Sequence, residues 1–190
     1  ITPTATGTTF TARGVGGILI ESSTPLHGDF NLENILLVLA IAIECGIDPL
    51  DCAVIIPNLT GAPVRLESVD RGQDFTALVD YAHTPDAVTR TLATLRKSCK
   101  GRIIGVLGCG GDRDKTKRKL MGIAAAEFST KAIFTSDNPR SEEPDIIVKE
   151  MGEGLDEILQ RKVLTIVDRR EAIRTAVMMS KPEDIILIAG

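Results

Sequence analysis

The sequence has 190 residues, enough for one domain and part of a second. With 43% hydrophobic and 25% charged residues its composition is ordinary for a soluble globular protein. A net charge of −4 and a pI near 5.3 argue against nucleic acid or an anionic membrane surface as partner, and the longest apolar run, Ile35 to Ile43, is about half the ~18–20 residues of a membrane span.

Residues 1–25 hold scattered Thr and Gly, followed by Gly17-Ile18-Leu19-Ile20-Glu21, which reads as an edge or hairpin strand. There is no basic start with an apolar block, so no signal peptide is read. Pro25-Leu26-His27-Gly28 makes a turn. Asn31 or Asp29 then caps a helix through about Cys45, which Gly46 stops. Asp48-Pro49 opens a second helix ending near Pro57. After Pro63-Val64-Arg65-Leu66-Glu67 the periodicity changes, and strands alternate with helices.

Strands are predicted at Phe75–Val79, Arg102–Leu107, Lys131–Thr135, Val163–Val167 and Asp184–Ile188. Helices are predicted to about Cys99, to about Phe128, from about Glu143 to Gln160, and over Arg169–Ser180. This alternation of apolar strands with helices predicts an α/β fold: a Rossmann-like, mostly parallel sheet covered by helices on both faces. Right-handed crossovers place every strand-to-helix loop on one edge. Asp80, His83, Asp112, Arg113, Asp137 and Arg140 then share one rim. The chain lacks an initial Met and stops at Ala189-Gly190, directly after an apolar strand, and so reads as a piece of a longer protein.

Four cysteines at no C-x-x-C spacing, with only two histidines, make a zinc site a poor expectation and suit reduced thiols in a cytoplasmic protein. The absence of tryptophan leaves no obvious stacking platform for a single-stranded nucleic acid.

The stretch richest in chemistry is Ile133-Phe134-Thr135-Ser136-Asp137-Asn138-Pro139-Arg140, a buried strand running into a polar turn with one cation. In an open parallel sheet ligands bind beyond the carboxyl ends of the strands. There Arg140 can clamp a carboxylate through two parallel hydrogen bonds, while Asp137 or Asn138 receives an ammonium or hydroxyl. The plainer reading is an Asx turn with a solvated arginine. Gly108-x-Gly110-Gly111 is not G-x-G-x-x-G, and the acidic Asp112-Arg113-Asp114 that follows disfavours a dinucleotide pyrophosphate. The glycines permit a tight turn, with Arg113 either projecting over the same rim or paired with its flanking aspartates.

Asp80 at a strand end suits ribose hydroxyls or, equally, a helix cap, and His83 stands near it. No Ser or Cys nucleophile is spaced for a hydrolase triad. Asn31 and Asn34, three apart, offer carboxamides suited to an adenine edge, although capping suits Asn31 as well. His27 is a loop histidine without an assigned role. Lys115, Lys117, Arg118 and Lys119 gather at a helix start, as a solvated face or a polyanion site. No G-x-x-x-x-G-K-[ST] occurs, so this chain has no P-loop.

F-N-L-E-N, G-A-P-V-R-L-E, V-D-Y-A-H-T-P-D-A, G-C-G-G-D-R-D-K-x-K-R and S-D-N-P-R-S-E-E-P occur in this order over residues 25–190. With them the chain resembles the Mur ligases, most nearly the MurE branch. The resemblance implies that residues 1–64 end a central, P-loop-type ATP-binding α/β domain. Residues 65–190 would form the C-terminal Rossmann-like domain, incomplete at its end.

It further implies an ATP-driven amide ligation through an acyl phosphate, with magnesium on the phosphates. The substrates would be meso-diaminopimelate and UDP-N-acetylmuramoyl-L-alanyl-D-glutamate. D-N-P-R marks members that take diaminopimelate rather than lysine. Arg140 would then bind the distal carboxylate, with Arg113, Asp137 and Asn138 holding the rest of the amino acid. Asn31, Asn34, Arg65, Asp80 and His83 would meet ATP. No catalytic residue or metal ligand is expected within these 190 residues. The family's P-G-R reads Pro63-Val64-Arg65 here, and its G-K-R-P reads Thr116-Lys117-Arg118-Lys119. Such departures also fit a non-catalytic MurE-like partner subunit. A related ligase such as folylpolyglutamate synthase is a further alternative, against which the D-N-P-R turn argues.

Overall fold

The computed structural model describes residues 1–4 and 7–190, which divide into two compact units, Ile1–Glu67 and Ser68–Gly190. In the first unit β1 (Thr2–Thr4), β2 (Gly7–Arg13) and β3 (Leu19–Thr24) form an antiparallel meander. The sequence predicts only the last of these. β1 and β2 are carried by threonines, whose branched Cβ favours extended backbone without giving an apolar alternation.

Helix α1 (Asp29–Glu44) starts from Gly28 at φ 94°, with no side-chain cap. The expected cap by Asn31 or Asp29 is therefore not what is found. Asn31 lies inside the first turn, buried, and its Nδ2 donates to the His27 carbonyl at 2.7 Å. The predicted stop at Gly46 is present: Ile47 N–H donates to Ala42 O and Gly46 N–H to Ile43 O, with Gly46 at φ 88°. Asp48 caps α2 (Pro49–Ile55) by accepting from Leu50 N–H at 2.7 Å, and a single 3-10 turn, Ile56–Asn58, follows. Leu32, Ile35 and Leu39 form a one-sided stripe on α1 that packs with Phe10, Ile20, Cys52 and Ile56.

The second unit contains β5 (Thr76–Val79), α3 (Pro85–Ser98), β6 (Ile103–Leu107), α4 (Thr116–Phe128), β7 (Lys131–Phe134), α5 (Pro144–Gly152), α6 (Glu157–Gln160), β8 (Val163–Thr165), α7 (Arg169–Met179) and β9 (Ile185–Ala189). Its sheet is ordered β4-β5-β9-β6-β7-β8, where β4 is the two-residue segment Glu67–Ser68 on the boundary, and the pairs from β5 to β8 are parallel. Successive residues of a strand face opposite ways. Thus Ile104 and Val106 of β6, with Ile133 and Ile186, pack on Ala172 and Ala176 of α7. Gly105 and Phe134 meet α4 and its C-terminal end on the other face, where a Cβ on Gly105 would lie 2.8 Å from Ser129 Oγ and one on Gly122 3.3 Å from the Phe134 ring. Helices therefore cover both faces, as the alternation predicts. The single helix predicted over Glu143–Gln160 is instead two. Gly152-Glu153-Gly154 interrupts it, with Gly154 at φ 90°, and Asp156 caps α6 by accepting from Leu159 N–H at 2.8 Å.

At the edge away from the strands' carboxyl ends, the carboxylate of Asp184, 2% exposed, takes Arg102 Nη2 at 2.6 Å and the Arg102 backbone N–H at 2.7 Å. Burial alone would raise the pKa of this carboxyl. The hydrogen bonds from Arg102 and from Lys181 N–H outweigh it and hold the value below the ordinary one.

Candidate functional site

Beyond the carboxyl ends of β5, β6, β7 and β9 lies a cavity of about 750 Å³ whose lining includes Tyr81, His83, Cys109, Arg113, Lys117, Asp137, Asn138 and Arg140. The polar turn after β7 forms one wall. Ser136 N–H donates to Val167 O at 3.0 Å, and Glu142 N–H donates to Pro139 O at 3.0 Å. Between them Arg140 is left-handed at φ 50°, which swings its side chain toward the loop after β6. There its Nη1 donates to the Gly111 carbonyl at 2.5 Å. That partner is neutral, so the positive charge is uncompensated; among the described residues no carboxylate pairs with it. Nη2 and Nε remain for a ligand.

The glycines after β6 have a sharper role than the tight turn predicted from sequence. A Cβ on Gly111 would sit 1.8 Å from Pro139 O, one on Gly110 2.9 Å from Arg140 Nη1, and one on Gly108 2.7 Å from Asp137 Cβ. They admit the Asp137–Arg140 turn against the loop backbone. Arg113 is exposed, and the alternative in which it pairs with its neighbours is not realised. Asp112 accepts from Ser141 Oγ at 2.7 Å, and Asp114 from Thr116 Oγ1 at 2.6 Å. The latter bond, with that from Thr116 N–H, lowers the Asp114 pKa. Of the rim predicted from topology, His83, Arg113, Asp137 and Arg140 line the cavity, whereas Asp112 is turned to Ser141 and Asp80 is buried.

Asp80 does not cap α3. Thr84 does, accepting from Ala87 N–H at 3.3 Å. Asp80 Oδ1 instead accepts from Ala82 N–H at 2.9 Å, which shapes the loop that presents Tyr81 and His83. His83 Nδ1 donates to Tyr81 O at 2.9 Å, and the two rings stand 4.7 Å apart at 59°.

The basic cluster is not one solvated face. Lys117 lines the cavity and Lys119 is exposed, but Arg118 is 1% exposed. Arg118 grips Glu142 through Nη1 at 2.9 Å and Nη2 at 2.7 Å, and Glu150 through Nη1 at 2.6 Å, while its buried Nε has no partner. The bonds from Arg118, then that from Asp112 N–H, depress the Glu142 carboxyl to about 2, and the carboxylates of Glu142 and Glu150 raise the Arg118 pKa. Glu142, Glu150 and the buried role of Arg118 are missed by the sequence reading. Cys109 lines the cavity as a thiol pushed up to about 11, chiefly by burial, with Arg118 opposing and Asp137 adding to the shift.

Asn31, Asn34 and Arg65 belong to the first unit. Asn34 is exposed, so only one of the two carboxamides lies at the surface. Arg65 is exposed between Val64 at φ 56° and Leu66 at φ 47°. Thr116, where the resembled motif has glycine, is held by Asp114. Lys119, where it has proline, sits in a helical turn that accepts any residue with an N–H.

The family model "Mur ligase, glutamate ligase domain" matches residues 64–190. Proteins named UDP-N-acetylmuramoyl-L-alanyl-D-glutamate--2,6-diaminopimelate ligase are similar along most of the chain. The one from Syntrophomonas wolfei is 47% identical, covering 87% of this chain and 34% of its own length. That from Bacillus cereus is 42% identical, covering 100% and 38%. The chain thus spans little more than a third of the curated relatives it matches. A solved structure of a ligase of the same name has a TM-score of 0.76 at 39% identity, covering 100% of this chain and 38% of that one. A Mycobacterium tuberculosis folylpolyglutamate synthase, at 23% identity and a TM-score of 0.73 over 100% of this chain and 43% of its own, shares the fold. The motifs, the sheet order and these likenesses agree, and the chain belongs to the Mur ligase family.

Proposed function

We propose that the chain is the C-terminal part of an ATP-dependent amide ligase. It would join meso-diaminopimelate to UDP-N-acetylmuramoyl-L-alanyl-D-glutamate in the cytoplasm, during peptidoglycan synthesis. The observation that carries the reading is the pair of exposed guanidiniums, Arg140 and Arg113, over one cavity with Asp137 and Asn138. A zwitterion with a carboxylate at each end calls for a cation at each carboxylate and an anion for an ammonium, and this cavity is lined by all three. Arg140, already tethered through Nη1, presents its remaining donors to the distal carboxylate without the entropy loss of a free side chain. Asp137 receives an ammonium, and Arg113 the second carboxylate.

In the reaction the glutamate γ-carboxylate attacks the terminal phosphorus of ATP, giving an acyl phosphate and ADP. The diaminopimelate amine then attacks the acyl carbon, phosphate leaves, and the nitrogen loses a proton. The part of the described residues in this is to hold the nucleophile in line. We assign ATP contacts to Asn31, Asn34, Arg65, Asp80 and His83, with residues 1–64 as the end of the ATP-binding domain. Magnesium, when bound, would offset charge on the ATP phosphates; among the described residues no cluster of three or more His, Cys, Asp or Glu is placed to hold a metal ion. A cytoplasmic setting suits four unpaired cysteines, and no described helix is long and apolar enough to cross a membrane.

The test is turnover by the full-length protein carrying Arg140→Ala. Diaminopimelate use should fall about thirtyfold, ~2 kcal/mol, with the KM for ATP unchanged. Equal turnover of lysine and diaminopimelate by the unmutated protein would refute the substrate assignment. An absence of any ligation would favour the non-catalytic partner subunit.

A further inference from the structure

Glu142 is not part of the cavity lining, yet every oxygen lone pair of its carboxylate is engaged from the site's own framework. Oε1 accepts from Arg118 Nη2 at 2.7 Å and from the Asp112 backbone N–H at 2.6 Å. Oε2 accepts from Arg118 Nη1 at 2.9 Å and lies 3.1 Å from Lys115 Nζ. A carboxylate has about four acceptor positions, and all four are filled by protein. It has nothing left for a ligand. Its partners come from α4 and from the loop carrying Arg113, and its own N–H closes the turn carrying Arg140 by donating to Pro139 O at 3.0 Å. The two loops meet again through Ser141, whose Oγ donates to Asp112 at 2.7 Å. Asp112 and Arg140, at φ 53° and φ 50°, are both held in the left-handed region that non-glycine residues avoid unless contacts enforce it.

We propose that Glu142 is a positioning residue, which fixes the spacing of the Arg140 and Arg113 guanidiniums from behind the cavity and thereby sets the preference for a substrate with two carboxylates over one with a single carboxylate. Arg118 is its buried counter-ion and Glu150 completes the neutralisation. In Glu142→Gln the neutral carboxamide keeps the size but turns an NH₂ toward one Arg118 nitrogen and toward either the Asp112 N–H or Lys115, so that the charge pairing and one of the two anchors to the Arg113 loop are lost. Glu142→Asp keeps the charge but is one methylene too short to hold both loops. The proposal rests on the diaminopimelate reading for its substrate, though not for its geometry.

The experiment compares full-length unmutated protein with Glu142→Gln and Glu142→Asp. It measures the KM for diaminopimelate, lysine and ATP, and the hydrogen exchange of the Gly111 amide, which donates to Asn138 O. We expect Glu142→Gln to raise the KM for diaminopimelate at least tenfold and leave the KM for ATP unchanged. It should also erase most of the preference over lysine and speed Gly111 exchange at least tenfold, while amides of β6 and β7 stay protected. Glu142→Asp should fall between the two proteins, and carries the test alone should Glu142→Gln not fold. A lowered melting temperature with unchanged Gly111 exchange and unchanged diaminopimelate KM would overturn the proposal, leaving a merely structural ion pair. If the unmutated protein does not use diaminopimelate, Gly111 exchange alone decides: acceleration in Glu142→Gln upholds the positioning role while the substrate reading falls.

Discussion

The backbone N–H of Gly111 donates to the carbonyl of Asn138 at 2.9 Å, and the carbonyl of Gly111 in turn receives Nη1 of Arg140. One glycine therefore holds both ends of the Asn138-Pro139-Arg140 turn. Its peptide does the work that a side chain does elsewhere, and the absence of a Cβ lets Pro139 approach it.

Gly111→Ala should for that reason separate the two loops. A methyl group at 1.8 Å from Pro139 O cannot be absorbed by a rotamer change, because the obstacle is backbone. We expect a loss of about 1–3 kcal/mol in urea unfolding, with a larger proportional loss of diaminopimelate binding than of ATP binding. A Gly111→Ala protein with unaltered stability and binding would show that the loops are not in this contact in solution. Gly152→Ala, which meets nothing within 4 Å, serves as the control.

Val64 offers a prediction of opposite sign. A β-branched residue at φ 56° sits where glycine is at ease, and Leu66 at φ 47° repeats the strain two residues on. Val64→Gly should relieve roughly 1–2 kcal/mol of native strain and forfeit about 0.5–1 through a freer unfolded chain. The expected net effect is a small rise in the urea midpoint of the first unit. A fall in that midpoint would mean that contacts of the Val64 side chain outweigh its backbone strain.

The pH dependence follows from Glu142. Its carboxyl is depressed from an ordinary 4.5 to about 2, first by Arg118 and then by the Asp112 N–H. A group depressed on folding stabilises the protein fully above its unfolded value and loses that contribution as pH falls through its folded value. Calorimetric melting temperatures should thus decline between about pH 4.5 and pH 2, and Glu142→Gln should flatten part of that decline. Asp184, also depressed, accounts for some of the slope that remains. Identical slopes for the two proteins would exclude the Arg118–Glu142 pair as a source of acid sensitivity.

Cys109 should resist alkylation despite its place in the cavity wall. A thiol held at about 11 is almost wholly protonated near neutral pH, and the thiolate is the nucleophile. With iodoacetamide at about pH 8 the exposed Cys45 should be modified well before Cys109, whose rate should climb as the pH approaches 11. Mass mapping of the modified peptides checks this, and equal labelling of the two thiols under the milder condition would contradict it.

Much of this site was legible from residues alone, for a simple reason. A parallel β-α alternation sends every loop after a strand to the same edge, so His83, Arg113, Asp137 and Arg140 had to be neighbours once the strands were recognised. What stayed hidden depends on contacts with no local signature. Arg118 finds Glu142 and Glu150 across 24 and 32 residues of sequence, and in a run of basic residues it looks like its exposed neighbours. The reason for Gly110 and Gly111 lies in another loop altogether. Within the first unit, the threonines of β1 and β2 carry extended backbone without alternating polarity, and periodicity passes over them.

The sheet order has a bearing on how such a chain is made. β9, the last of these strands to leave the ribosome, is the one that lies between β5 and β6, pairing with both through Ile185 to Ala189. Until that segment emerges, β5 on one side and β6 with its neighbours on the other present bare edges that invite wrong partners. Among these strands β9 is therefore a keystone, and a message cut short a few codons before Ile185 would leave β5 and the β6-β7-β8 group without the strand that joins them.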